Sequence, residues 1–295
     1  MKNYKADGLV CIGTCDKIIP GQWLGACRLD LPTIFLTGGP ALPGSFQGEP
    51  VAFPTDVIQK GLRDLFSRKM GLREFRRMMK EMEGRWVLTC GACPELTTAN
   101  TVQMATEVMG LCLPKTSTMP GFLMEKIRMA KEVGYTIVEL VKKGVNFSKI
   151  VTKDAILDAA RLIMAVSGGT NGLLHLLSLA KYMGIGVSLR DFSEISESTP
   201  YYCPIKPIGK YTMVDLHNAG GAFGVLKRIK DRVAKGRTTV CGKSIGKIID
   251  EAHIVNEDVI LPLKKAIHPK GGIAVLWGNL APRGALSRYT AVGKE

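Results

Sequence analysis

The sequence predicts an α/β chain with a helix-flanked, mainly parallel sheet, and three observations carry that reading. Asp7–Gly13 (DGLVCIG) and Pro32–Thr37 (PTIFLT) are short apolar runs with strand character. Between them lies a helix-like segment from Pro20-Gly21 to about Leu29, with proline at a first-turn position. Short Gly- and Pro-containing connections join the three, as at the start of a parallel α/β unit.

Gly38-Gly39-Pro40 closes the second strand, and Ala41–Pro54 reads as a loop rich in Pro and Gly. Helices are expected at Thr55–Arg68 and Leu72–Glu83, with Val57, Ile58, Leu62, Leu65 and Phe66 at helical spacing. In the stretch Cys90–Asn100 (CGACPELTTAN), Pro94 and Glu95 make Cys93 the expected N-cap of a helix running to Met109. A cysteine there meets unpaired N–H groups and the positive end of the helix dipole, which favour the thiolate. Further helices are expected over Phe122–Lys143, Thr152–Val166 and Asn171–Met183. After Thr199 the chain changes character, with more glycine, short strands at Thr238–Cys241 and Gly272–Trp277, and no long amphipathic run. A soft boundary therefore divides 1–200 from 201–295.

A chain of 295 residues, 46% hydrophobic and 22% charged, is globular and long enough to bury a large core. The net charge of +14 raises nucleic acid as a partner. Its Lys and Arg are spread along helix-like stretches such as Arg68–Lys80 and Lys227–Lys235, with no aromatic ladder between them. No nucleic-acid surface is predicted, and an anionic small substrate fits the charge as well. Only a short apolar run follows Met1-Lys2-Asn3-Tyr4-Lys5, so no secretory signal is read there. The uncharged run Leu162–Ala180 is broken by Ser167-Gly168-Gly169-Thr170-Asn171-Gly172, so no membrane span is predicted either. A cytoplasmic location is expected, and the eight cysteines then read as thiols or metal ligands rather than disulfides.

The most reactive stretch is Gly13–Gly21 (GTCDKIIPG), where a thiol, a carboxylate and an amine (Cys15, Asp16, Lys17) fall in a row on a strand-to-helix turn. Neighbouring residues cannot all face a core, so such a turn is suited to display them to a ligand. Cys11-x3-Cys15 and Cys90-x2-Cys93 also have spacings allowed for a four-thiolate zinc site. An extended strand would hold Cys11 and Cys15 about 13 Å apart, which weighs against it. Cys27, Cys112, Cys203 and Cys241 read as simple thiols. The loop Gly168-Gly169-Thr170-Asn171 can offer backbone N–H groups to an anion at a helix start, and His175 follows Asn171 by one turn on the same face. Lys206, Lys210 and Tyr211 in IKPIGKY are either anion contacts or a solvated loop. No P-loop, dinucleotide fingerprint or Ser/His/Asp order is present.

GTCDKIIPG followed by RLDLPTIFLTGGP resembles the dihydroxy-acid dehydratase and phosphogluconate dehydratase family. Further segments match in family order. GACPELTTANTVQMATEVMGLCLP is similar to its GSC-x-x-x-x-TANTM segment, and SGGTNGLLHLLSLAKYMGI to its GGSTN…LHL helix. IKPIGKYTMVDLHNAGG and IHPKGGIAVLWGNLAPRGA are similar to its KPSGKY…DL…GG and HP-x-GG…GNLAP-x-GA segments.

The resemblance implies a hydro-lyase that dehydrates a 2,3-dihydroxy acid of the dihydroxyisovalerate type to a 2-keto acid, using an iron–sulfur cluster (2Fe-2S or 4Fe-4S) and magnesium. Residue by residue, Cys15 and Cys93 match cluster ligands, Asp16 a magnesium ligand, and Lys17 a lysine carbamylated in several members. A lysine must be neutral to take up carbon dioxide, so burial is part of that requirement. Thr98, Thr170, Asn171 and His175 are the candidate substrate contacts. The family's first cluster cysteine precedes the CDK turn and its base serine follows the GNLAP segment. The resemblance therefore implies an internal piece of a longer member, inactive alone, homodimeric in full length, with complementary chains as partners. Its implied fold is the α/β cluster- and metal-binding domain followed by the start of a β-barrel-like domain. GGTN in place of GGSTN and Pro94-Glu95 after the cysteine depart from the pattern. Two other readings are a sugar-acid (aldonate) dehydratase and a non-catalytic metal- or anion-binding module or partner subunit.

Overall fold

The computed structural model describes residues 5–51, 54–86 and 88–291. Its first unit is strand β1 (Leu9–Gly13), helix α1 (Ile18–Leu29) and strand β2 (Thr33–Thr37). β1 and β2 pair in parallel, from Leu9 opposite Thr33 to Gly13 opposite Thr37. α1 begins two residues before Pro20, because the first-turn N–H groups have no partner within the helix and proline loses nothing there.

The expected loop at 41–54 contains a small antiparallel hairpin, β3 (Gly44–Phe46) with β4 (Glu49–Val51). Helices α2 (Pro54–Phe66) and α3 (Leu72–Glu83) follow. The hairpin packs with Met82, Met78 and Trp86 in a small apolar cluster apart from the main core. The main core surrounds helix α4 (Thr98–Val108), whose residues Ala99–Val108 are all buried. Around it come α5 (Met124–Lys142), the short α6 (Phe147–Ile150), α7 (Lys153–Ala165), α8 (Thr170–Tyr182) and α9 (Leu189–Ser198). The chain continues through α10 (Met213–Ala219), α11 (Gly221–Arg228) and α12 (Ile245–Glu251). It closes with an antiparallel hairpin, β5 (Ala274–Gly278) and β6 (Ala281–Ser287). One apolar cluster runs through the described chain from Leu9 to Ile273.

The architecture is mixed α/β. The parallel sheet expected from the sequence is one two-stranded ladder, extended by a single parallel bridge from Phe35 to Cys112, and the other two strand pairs among the described residues are antiparallel. One expectation about the later chain is corrected. Thr238–Cys241 is not a strand: Thr238 makes a single bridge to Ser244, and the Thr239 hydroxyl donates to Lys243 O at 2.7 Å, closing a turn. After Thr199 the expected absence of a long helix holds and Gly272–Trp277 overlaps β5, but three helices of seven or eight residues also lie there. Such short helices show too few turns for an apolar period to be read, and tertiary packing stabilises them. α9 was signalled only by its capping box, in which Ser188 and Asp191 bond reciprocally. No helix among the described residues is long and apolar enough to cross a membrane.

A buried ion cluster ties the layers together. Asp158 of α7 meets Arg161 at 2.7 Å and Arg237 at 2.8 Å, and Arg237 also donates to Val108 O at the end of α4 at 3.1 Å.

Candidate functional site

The CDK turn is the connection between β1 and α1, and neighbouring segments clamp it. Gly38 N donates to Gly13 O at 2.9 Å, and Gln22 of α1 returns to Ile12 O at 2.8 Å. Gly38 lies so close that a Cβ on it would sit 2.1 Å from the Thr14 hydroxyl, so only glycine fits. Gly39 has φ +72°, and a Cβ there would overlap Met119 O. Cys15 and Lys17 are exposed and Asp16 is half-buried, with Cys15 Sγ 3.4 Å from Asp16 Oδ1. The described residues thus do not give Lys17 the burial that carbamylation requires.

Cys93 stands beside this turn for reasons of long-range pairing. Ala92 N donates to Gly39 O at 2.7 Å and Ala41 N donates to Ala92 O at 2.8 Å, so the cysteine segment runs along the chain that follows β2. The expected N-cap role of Cys93 is corrected: α4 begins at Thr98, with Thr97 as its N-cap. Residues 93–96 are held out of the helix by other partners. Asn100 Nδ2 donates to Cys93 O at 2.6 Å and to Glu95 O at 2.7 Å. Met213 N donates to Pro94 O at 2.9 Å, and Leu96 N donates to Lys206 O at 2.8 Å. The IKPIGKY segment thus buttresses the Cys93 loop with its backbone, while the Lys210 ammonium sits 4.8 Å over the Tyr211 ring.

The thiol itself differs from the sequence expectation. Burial raises the Cys93 pKa, and Glu95, Cys15 and Asp16 push it further the same way. Cys15, Asp16 and Glu95 thus lie within electrostatic reach of Cys93. His175 of α8 faces the same turn. Burial lowers its pKa, Lys17 adds to that, and Asp16 opposes it. His175 Nε2 is buried without a hydrogen-bond partner. At the adjoining helix starts, Asn171 Nδ2 donates to the Thr98 hydroxyl at 3.2 Å, and Gly169 N donates to the Thr101 hydroxyl at 2.9 Å. Thr170 is the first residue of α8 and half-buried. The eight candidate residues thus lie around the CDK turn and in the first turns of α4 and α8, with His175 within electrostatic reach of Asp16 and Lys17.

The four-thiolate alternative does not assemble. Cys11 is half-buried in β1, where burial pushes its thiol up to about 11. Among the described residues, no three His, Cys, Asp or Glu side chains converge as metal ligands would. Sequence reasoning missed Asn100, Thr101 and Gln103, whose signal was polar residues inside a helix buried on every side. It also missed Arg288, which donates from β6's end to Leu96 O at 3.3 Å and to Ser167 O.

The sequence profile of the dihydroxy-acid/6-phosphogluconate dehydratase N-terminal domain matches residues 1–248. The chain belongs to this family. It is 41% identical to a dihydroxy-acid dehydratase of Pyrococcus furiosus over 98% of this chain and 52% of the relative. Similar proteins of the same name in Thermodesulfovibrio yellowstonii and Methanoregula boonei are each 40% identical over 99% of this chain and 52% of the relative. The chain thus spans about half the length of the curated relatives it matches.

The family resemblance implies an iron–sulfur cluster and magnesium. Glu95, Cys15 and Asp16 each add to the cost of ionising Cys93, although the described side chains do not converge as a formed ligand set. A bound cation removes that cost, since a coordinating thiol is deprotonated outright. Sulfur donors suit iron–sulfur centres and carboxylate oxygen suits magnesium. The donor set fits as part of such a site, with two sulfur ligands from this chain.

Proposed function

We propose that this chain carries the cluster- and magnesium-binding part of a hydro-lyase acting on a 2,3-dihydroxy acid of the dihydroxyisovalerate type. The observation that carries the reading is the pairing of the Cys93 loop with the chain that follows β2, Ala92 N to Gly39 O at 2.7 Å, which sets Cys93 beside the CDK turn from a segment far away in sequence. In this reading the Cys15 and Cys93 sulfurs would hold the cluster and Asp16 would hold magnesium, while the exposed Lys17 stays an ammonium beside them, without the burial that a carbamate requires. When bound, the cluster supplies an iron Lewis acid for the departing 3-hydroxyl, and magnesium supplies charge for the carboxylate and 2-hydroxyl. Thr98, Thr170, Asn171 and His175 orient the substrate. The N–H groups and positive dipole end at the start of α8 favour its carboxylate. His175, held neutral by burial, offers a hydrogen bond without adding a charge beside Lys17. In the overall reaction the C2–H and C3–O bonds break, water leaves, and the enol tautomerises to the 2-keto acid. No base for C2 is assigned among these residues. Residues 1–200 form the metal-binding unit in this reading, and 201–295 its remainder, with the β5–β6 hairpin opening a barrel-like domain. The names of the relatives support the choice of a dihydroxy acid.

Anaerobic reconstitution with iron and sulfide tests the reading. A brown cluster absorbance that is lost in Cys15→Ser and in Cys93→Ser is expected. Absorbance unchanged in both variants, or one equivalent of zinc in place of iron, would overturn it.

A further inference from the structure

Helix α4 is buried on all sides, yet one of its faces is polar. Asn100, Gln103, Thr106 and Glu107 follow one another at helical spacing, each at most 1% exposed. Buried amides and hydroxyls are costly unless bonded, so the partners of this stripe say what it is for. Thr106 accepts from Trp23 Nε1 at 3.1 Å and Glu107 from Lys115 N and Ser117 N at 2.8 and 2.6 Å, which are packing and loop contacts. The first two residues do something else. Asn100 holds Cys93 O, the carbonyl of one site cysteine. Gln103, one turn on, donates to Thr14 O at 3.0 Å, the carbonyl just before the other site cysteine. The same Gln103 side chain accepts from Gly39 N at 2.6 Å. Gly39 O in turn accepts from Ala92 N next to Cys93. One amide therefore closes a ring running from the Cys15 turn through Gly39 to the Cys93 loop, while Asn100 holds that loop to the same helix.

We infer that Gln103, acting with Asn100, is a positioning residue that fixes the Cys15 and Cys93 thiols relative to each other before any ligand arrives. The inference rests on the proposed pairing of these two cysteines. A flexible pair would have to lose its freedom on binding, whereas a clamped pair has already lost it, which favours ligand capture. Gln103 suits the role because its amide offers a donor and an acceptor together and so bonds the Thr14 carbonyl and the Gly39 N–H at once, while Asn100 acts through its donor alone, on Cys93 O and Glu95 O.

The test is bridging of the thiols with dibromobimane in the whole chain, read as the amount of Cys15–Cys93 cross-linked peptide. Wild type is expected to bridge. Gln103→Met, which keeps the volume and loses both bonds, is expected to lower the bridged product about tenfold. Thr106→Val serves as the structural control, since it strips the bond to Trp23 from the same buried helix without touching either cysteine segment. It should lower the unfolding midpoint and leave bridging unchanged. Gln103→Asn, too short to reach both partners, replaces Gln103→Met if that variant does not fold, with the same expected loss. Absence of bridging in wild type, wild-type bridging in the Gln103 variant, or an equal fall in Thr106→Val overturns the inference. A wild type that bridges but takes up no iron and sulfide sinks the proposed function and leaves the positioning role standing.

Discussion

Asn171 Nδ2 donates to the hydroxyl of Thr98 at 3.2 Å, joining the first turns of α8 and α4. The two residues come from separate motifs of the sequence, and this bond brings two helix starts to one place. Gly169 N reinforces it through the Thr101 hydroxyl.

The bond predicts an energetic coupling. Thr98→Val and Asn171→Leu should each destabilise the fold by about 0.5–1.5 kcal/mol, as single hydrogen bonds do. The double variant should lose less than the sum, because both changes remove the same bond. Urea unfolding of the four proteins measures it, and strict additivity would show that the two helix starts are not linked.

Asp158 is wholly buried between Arg161 and Arg237 and also accepts from Ala234 N at 3.2 Å. Asp158→Ala leaves a buried guanidinium uncompensated and should cost about 3–5 kcal/mol. Replacing Arg161, which is partly exposed, should cost clearly less. Equal losses for Asp158 and Arg161 in denaturant unfolding would contradict this ranking.

Lys126 supplies the pH prediction. Its ammonium donates to Thr37 O at 3.0 Å and Thr116 O at 2.7 Å, and burial lowers its pKa to about 8, against the opposing pull of Glu107 and Cys112. The unfolded chain holds this proton up to its ordinary pKa near 10.4, so between the two values the unfolded state binds more protons. Stability therefore rises with pH in that window, by about 2 kcal/mol between pH 8 and pH 10 relative to Lys126→Met. A flat difference between the two proteins over that range would rule it out.

The cysteines should label in order of exposure and acidity. Cys15 and Cys90 are exposed, whereas burial, then Glu95, then Cys15 and Asp16 raise Cys93. Iodoacetamide at pH 8 should modify Cys15 and Cys90 about tenfold faster than Cys93, because only the thiolate reacts. Cys112 and Cys203 are buried with raised pKa values and should label only on unfolding. Peptide mapping over time gives the rates, and a Cys93 as fast as Cys15 would refute the order.

The sequence by itself determined the β1–α1–β2 unit, because an apolar run, a helix-compatible segment and Gly/Pro connections are local signals. It placed Cys15, Asp16 and Lys17 on a strand-to-helix turn, and its ordered motifs carried the family. The helices at 72–83, 124–142, 153–165 and 170–182 were legible for the same reason, each being long enough to show its period. The tertiary structure alone decided what surrounds the reactive groups. Pro94 and Glu95 look like a helix start, yet Asn100, Lys206 and Met213 bond that segment into a loop, and burial among acids raises Cys93 where a cap would have lowered it. Helix propensity there is worth less than one kcal/mol or so per residue, and several long-range hydrogen bonds outweigh it. Gln103 looked like one more polar residue in a helical pattern. Only the approach of Thr14 and Gly39, both more than sixty residues away in the chain, gave its amide two partners.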